Sequence, residues 1–329
     1  MLIRISALVF VTTLVAFSGA AFGQSASVQT KQYENGGLYK GTFKNGRQHG
    51  YGTYSLPSGY EYAGEWENGQ AVGEGIAKFS NGSTYKGTFA NGKPNGIGTI
   101  NYADGGKYSG VWVKAQIEGQ GIAEYPDGTR YEGNFIANKY HGQGILISES
   151  GYRYEGAWDN GSKEGLGTIT YADGAIYSGW LVDDKRAGKG SLTTPDGLIL
   201  LGEWNNGEFN GKGTITQPNG DVYYGNITDG VQEGAGEATY SNGDVYKGQF
   251  SNGFRQGYGE LIGVDSYHFA GDWFEGEIEG LGTETYPDGS VYKGEFISNL
   301  ADGNGEITYA NGATYKGKWK AGVVDGKGI

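Results

Sequence analysis

"YKGTFKNGRQHGYGTYSLPSGYE", residues 39–61, sets aromatic rings among glycines and closes on an Asn-Gly pair and a Pro-Ser-Gly turn. The same phrase reopens 23 residues later at Tyr62, and again at Tyr85, Tyr108, Tyr131, Tyr154 and Tyr177. Position 1 then falls at residues 200, 223, 246, 269, 292 and 315, so residues 39–329 hold twelve full copies and a truncated thirteenth. "YENGG" from Tyr33 aligns with "YADGG" from Tyr102, which makes residues 24–38 a half repeat. A period that never slips over most of the chain identifies a repeat array and leaves no room for a separate globular domain.

Within one copy, positions 1, 3 and 5 are a ring, a glycine and a ring (Tyr62, Gly64, Trp66), while Ala63 and Glu65 stand between them. Alternation with period two is the mark of a strand. A second alternating segment follows in each copy, as in Gly96, Gly98, Ile100 and Tyr102, and Asn-Gly or Asp-Gly pairs separate the two. Such pairs close tight hairpins. The expected fold is therefore all-β: an elongated, single antiparallel sheet of successive hairpins, with about 26 strands at roughly 4.8 Å each.

Positions 3, 12 and 14 are glycine in every copy. If position 5 lies opposite position 14, Trp66 covers Gly75, Gly64 leaves room for Ala77, and Tyr62 meets Phe79. A ring laid over a strand glycine restores the packing that glycine lacks. Position 8 is usually glycine, with Ala115, Asn138, Asp184 and Asn299 as substitutes. Alanine tolerates positive φ poorly, so the turn of the fourth copy should differ. Trp180 stands one place early with Leu181 at position 5, Leu200 opens the eighth copy and Ile227 replaces a ring. Gly263 and Ser266 break the pattern again. Regular geometry is in doubt near residues 198–201 and 261–269.

Residues 1–23 carry one basic residue, Arg4, then an apolar run and small residues before Gln24. That is the pattern of a cleaved signal peptide and predicts export to the periplasm or beyond. The chain has no cysteine, so no disulfide framework is available to an exported protein. With 37 acidic against 25 basic side chains the net charge is −12, which argues against nucleic-acid partners and makes a membrane partner unlikely. Lys316, Lys318, Lys320 and Lys327 gather in the last copy and blunt the C-terminal sheet edge. The N-terminal edge is less guarded, so any homodimer is expected to be weak and to form there.

The phrase Tyr-x-Gly-x-Trp-x-x-Gly-x-x-x-Gly-x-Gly-x-x-x-Tyr-x-x-Gly resembles the MORN repeat, and "YEGAWDNGSKEGLGTITYADGAI", residues 154–176, matches it at each of those positions. The resemblance implies an elongated sheet of hairpins serving as a scaffold or docking surface, and it brings no catalytic residues. His49, His141 and His268 read as exposed loop residues, the first two lying four repeats apart. No catalytic, cofactor or metal site is expected. The leading expectation is a non-enzymatic scaffold that presents the rings of Tyr62, Trp66, Tyr108, Trp112, Tyr154 and Trp158 to a protein partner. The alternative is a carbohydrate- or cell-wall-binding repeat module.

Overall fold

The structure, a computed structural model, describes residues 27–328, so the apolar segment of residues 1–23 lies outside the described residues. The described residues form 27 strands in one antiparallel sheet and no helix. Each strand pairs with its neighbours in sequence. The sheet is open: Gln29–Gln32 pairs only with Leu38–Lys44, and Val323–Asp325 only with Thr314–Lys320.

A typical hairpin joins a seven-residue strand, Glu61–Glu67, to a nine-residue strand, Gln70–Lys78. Both are longer than turn spacing alone suggests. The tip residues Asn68 and Gly69 have φ of 50° and 88°. Two successive left-handed residues make the turn that matches the right-handed twist of the strands.

The pairing within a hairpin differs from the expected one, by two residues at Tyr62 and Gly64 and by four at Trp66. Tyr62 lies opposite Ala77, Gly64 opposite Gly75 and Trp66 opposite Ala71, with a register shift after Gly64. Between hairpins Gly52 lies opposite Gly64, Tyr54 opposite Tyr62, and Trp66 opposite Gly50. Glycine therefore faces glycine along a row that crosses the whole array, and the residue lying on that row is the tyrosine of position 1, not the tryptophan. A Cβ built on Gly75 would sit 2.6 Å from the Tyr62 Oη and 2.7 Å from its Cε2. Position 12 is glycine for another reason. It is the extra residue of the bulge, and Gly50, Gly73 and Gly96 hold φ of 73°, 58° and 100°.

The shift also explains the phenol. Tyr62 Oη donates to the Glu65 carbonyl at 3.1 Å, Tyr154 Oη to that of Ala157 at 2.7 Å, and Tyr246 Oη to that of Gln249 at 3.0 Å. In each case the acceptor is the position-4 carbonyl beside the irregularity, and a buried carbonyl without a donor is costly. The indole then ties one hairpin to the one before it: Trp66 Nε1 donates to the Gly52 carbonyl and Trp112 Nε1 to that of Gly98, both at 3.1 Å. Burial holds the phenols neutral, pushing Tyr85 and Tyr108 up to about 12.

The turn of the fourth copy does not differ. Lys114 and Ala115 take φ of 51° and 69°, close to the 53° and 74° of Asn45 and Gly46. Ala115 N donates to the Pro94 carbonyl at 2.8 Å, and Asn95 Oδ1 accepts from Lys114 N at 3.2 Å. Strands already paired on both sides fix the tip and override the residue's preference, at a cost of about 1 kcal/mol.

Nor does the ladder break at the irregular copies. Leu200 pairs with Ile215 and with Leu192, and Leu261 with Phe269. What changes is the filling. A Cβ on Gly213 would meet Phe209, whose ring comes from the second strand and occupies the ground that Leu200 leaves bare.

Candidate functional site

The six rings expected to form a presented stripe are buried. Tyr62, Trp66, Tyr108, Trp112, Tyr154 and Trp158 are each 9 % exposed or less. That reading is corrected on physical grounds. In the regular copies the position-1 tyrosine lies edge-on between two position-5 rings, as Tyr62 does between Trp66 at 5.2 Å and Phe89 at 4.9 Å, and Tyr154 meets Trp158 at 5.0 Å, so the rings consume each other's surface. They are the core of a sheet that has no second layer.

The edge-on chain of rings runs unbroken from Tyr39 to Trp158 through Trp66, Tyr85, Trp112 and Tyr131. It resumes from Tyr223 to Trp319. Between them Leu181, Leu200 and Ile227 stand where rings would be.

This interruption has a counterpart on the opposite face. Because side chains alternate along a strand, the one-place slip in the seventh copy sends Leu181 into the core, fully buried, and turns Trp180 outward. Trp180 is 49 % exposed, whereas the other six tryptophans are buried. It lies directly opposite Leu166, itself 59 % exposed, and opposite Ala187 on the other side. Gly188 leaves space beside it, since a Cβ there would reach the Trp180 Cβ at 3.6 Å. Leu201 and Tyr224, exposed by 54 % and 57 %, lie on the same face opposite Ser191, Thr214 and Glu237. Elsewhere on that face several large apolar residues lie opposite polar partners, as Tyr51 does Glu65, Tyr258 Asp272 and Leu281 Glu295, while Ile97, 67 % exposed, lies opposite Val111. Trp180 was legible as a break in spacing. The parity of position 4 was the signal that placed it outside.

The titratable groups are dispersed. His49, His141 and His268 lie on strands, not in loops. His141 Nδ1 is 3.2 Å from Asp159 Oδ1, His268 Nε2 is 3.9 Å from Glu260 Oε2, and His49 Nδ1 is buried without a partner. Among the described residues no group of three or more His, Cys, Asp or Glu side chains is placed to hold a metal ion. Hydrogen bonds to Lys163 outweigh burial at Asp184 and lower its carboxyl, while Lys163 Nζ also sits 5.5 Å over the Trp158 ring. These are the contacts of an array holding its own loops and rings.

Solved structures that match include the TCP10 domain of Danio rerio CPAP in complex with a peptide of STIL, at 11 % identity over 89 % of this chain and 100 % of that one, with a TM-score of 0.20. The TCP domain of Drosophila melanogaster SAS-4 in complex with a proline-rich motif of Ana2 matches at 12 % over 65 % and 99 %, with a TM-score of 0.24. A streptogramin B lyase matches at 12 % over 89 % and 91 %, with a TM-score of 0.14. Likeness at these scores carries nothing about a site. No curated protein matches at a significant level. The MORN repeat matches in twelve tandem segments, from residues 39–59 to 292–314, and the chain belongs to the MORN-repeat family.

Proposed function

We propose that this chain is a non-enzymatic, exported docking scaffold that engages a protein partner through the outer face around Trp180. The observation that carries the reading is the outward turn of Trp180 against Leu166 while Leu181 takes its place inside. A large ring left half in water costs free energy that a core position would recover, and exposed aromatic surface with polar surroundings is the usual composition of a protein interface. Export rests on the signal-type pattern of residues 1–23. The acidic charge favours partners that are not themselves strongly acidic.

Capture from the envelope fraction, with the mature chain as bait, tests the reading. A partner retained by the unaltered chain and lost with the Leu166→Ser, Trp180→Ser double variant supports it. Equal retention by both overturns the site. Retention on purified cell wall that soluble glycan releases replaces the protein partner with a carbohydrate. Export is checked separately: the envelope form should begin at about Gln24, and a full-length cytoplasmic product contradicts it.

A further inference from the structure

Trp204 and Trp273 are each capped by an arginine from position 10 of the preceding copy. The Arg186 guanidinium lies 4.2 Å over the Trp204 ring, and that of Arg255 lies 4.0 Å over the Trp273 ring. Each arginine also donates to the carbonyl of the turn glycine that follows the tryptophan, Arg186 Nη2 to Gly207 at 2.6 Å and Arg255 Nη2 to Gly276 at 2.7 Å. Ring and carbonyl together make a guanidinium seat, in which the plane stacks on the indole while an N–H at its edge finds an acceptor.

The same seat stands at Trp66 without an arginine in it. Position 10 of the first copy is Gln48, which ends short of a guanidinium and carries no charge. The backbone is unchanged: Gly69 N donates to the Gln48 carbonyl at 3.0 Å, as Gly207 N does to that of Arg186 at 2.9 Å and Gly276 N to that of Arg255 at 3.0 Å. The Gly69 carbonyl accepts no hydrogen bond among the described residues. Trp66 keeps 9 % of its surface exposed, against 4 % and 3 % for the two capped tryptophans. A cleft of about 790 Å³ opens here, lined by Trp66, Gly69 and Gln48, and Tyr33, Tyr54 and Glu34 add two rings and a carboxylate. Lys31 is the basic group of the lining, and its ammonium sits 5.1 Å over the Tyr33 ring. That cation is on the tyrosine, and the indole seat is left for another.

We propose that the cleft at Trp66 receives an arginine side chain of a protein partner, its guanidinium stacked on the indole and donating to the Gly69 carbonyl as the array's own arginines do at Trp204 and Trp273. Charge favours a cationic occupant, since the chain carries a net −12 and Glu34 lines the cleft. An ammonium fits the seat less well, because it has no plane to stack. The cleft lies on the ring-bearing face and stands independently of the Trp180 surface. A single side chain supplies binding of about millimolar strength, which suits one contact within a larger interface.

The probe is acetyl-glycyl-arginyl-glycinamide, followed by ligand-observed NMR on the full mature chain, with the corresponding lysine peptide and guanidinium chloride beside it. The unaltered protein is expected to bind the arginine peptide, and the lysine peptide about five-fold or more weakly. Gln48→Arg seats the array's own guanidinium and should lower binding by about ten-fold or more. Glu34→Gln should lower it by about two- to five-fold, and Lys31→Gln, which removes a like charge, should raise it by a similar factor. Arg186 and Arg255 hold the Gln48 position in their own copies, so Gln48→Arg keeps a residue that the array accepts. If it still fails to fold, the opposite shifts of Glu34→Gln and Lys31→Gln decide the matter. The proposal is overturned by no binding to the unaltered chain, by binding unchanged in Gln48→Arg, or by equal binding of the lysine peptide. Guanidinium chloride binding as tightly as the peptide also overturns it, since the cleft is then a small-cation site.

Discussion

The hairpins from Tyr39 to Trp158 and those from Leu181 to Phe209 share one backbone plan but fill it differently. In the first region tyrosines lie on paired glycines and touch tryptophan or phenylalanine on both sides, Tyr85 meeting Phe89 at 5.2 Å and Trp112 at 5.3 Å. In the second, Leu181 and Leu200 take ring positions beside the buried Trp204, Phe209 comes across from the other strand to cover Gly213, and Trp180 stands outside. The pairing is equally regular in both. Backbone register in this array is set by the turns and the glycine row, and ring identity is a separate variable. A repeat can give up a core ring without giving up the sheet, and the seventh copy places that ring in solvent.

The sharpest break of this comparison is between tryptophans. Trp158→Ala removes a buried ring and should destabilise its neighbourhood by about 3 to 5 kcal/mol, whereas Trp180→Ala should cost about 1 kcal/mol or less. Denaturant unfolding of both variants checks it, and equal losses would mean that Trp180 is structural. Gly75→Val comes next. Its side chain would collide with the Tyr62 ring and should cost about 3 kcal/mol. Because repeats pass stability mainly to neighbours, hydrogen exchange should rise in adjacent hairpins and not evenly along the chain.

Smaller effects separate the phenol from the ring. Tyr154→Phe keeps the packing but removes the donor to the Ala157 carbonyl, for a loss of about 1 kcal/mol. The eleventh copy has already made this change, with Phe269 in the tyrosine position, so Phe269→Tyr should gain part of that amount. Ala115→Gly relieves a left-handed alanine and should stabilise by about 0.5 to 1 kcal/mol, the opposite of the usual effect of glycine. An alkaline titration reads the tyrosines together. Burial pushes Tyr85, Tyr108 and Tyr177 up to about 12 from the ordinary 10, so the neutral phenol is the form that the fold favours. That contribution is complete below pH 10 and is lost as pH rises from 10 to 12, so phenolate absorbance should appear together with loss of the sheet signal.

The period, the hairpins and the single sheet were legible because spacing fixes them. The cross-strand register was not. Glycines at positions 3, 12 and 14 are consistent with either pairing, and only the bulge at Gly73, with φ of 58°, moves the partners by two. The rings were misread for a related reason. An alternating ring-and-glycine face without a second layer looks exposed in sequence, and the edge-on contacts that bury Tyr62 and Trp158 run between repeats, where one copy does not show them. Trp180 was visible as a departure, and what it does depends on which face its parity meets.

Photo-crosslinking along the outer face of the mature chain in its own envelope tests most directly whether the released ring is the docking surface. A photoreactive residue is placed in turn at Leu166, Trp180 and Leu201, and at Glu74, Lys86 and Glu132 on the same face of the regular hairpins. Discrete protein adducts at the first three positions and none at the others are expected. Adducts spread evenly over all six, or confined to the regular hairpins, would contradict it.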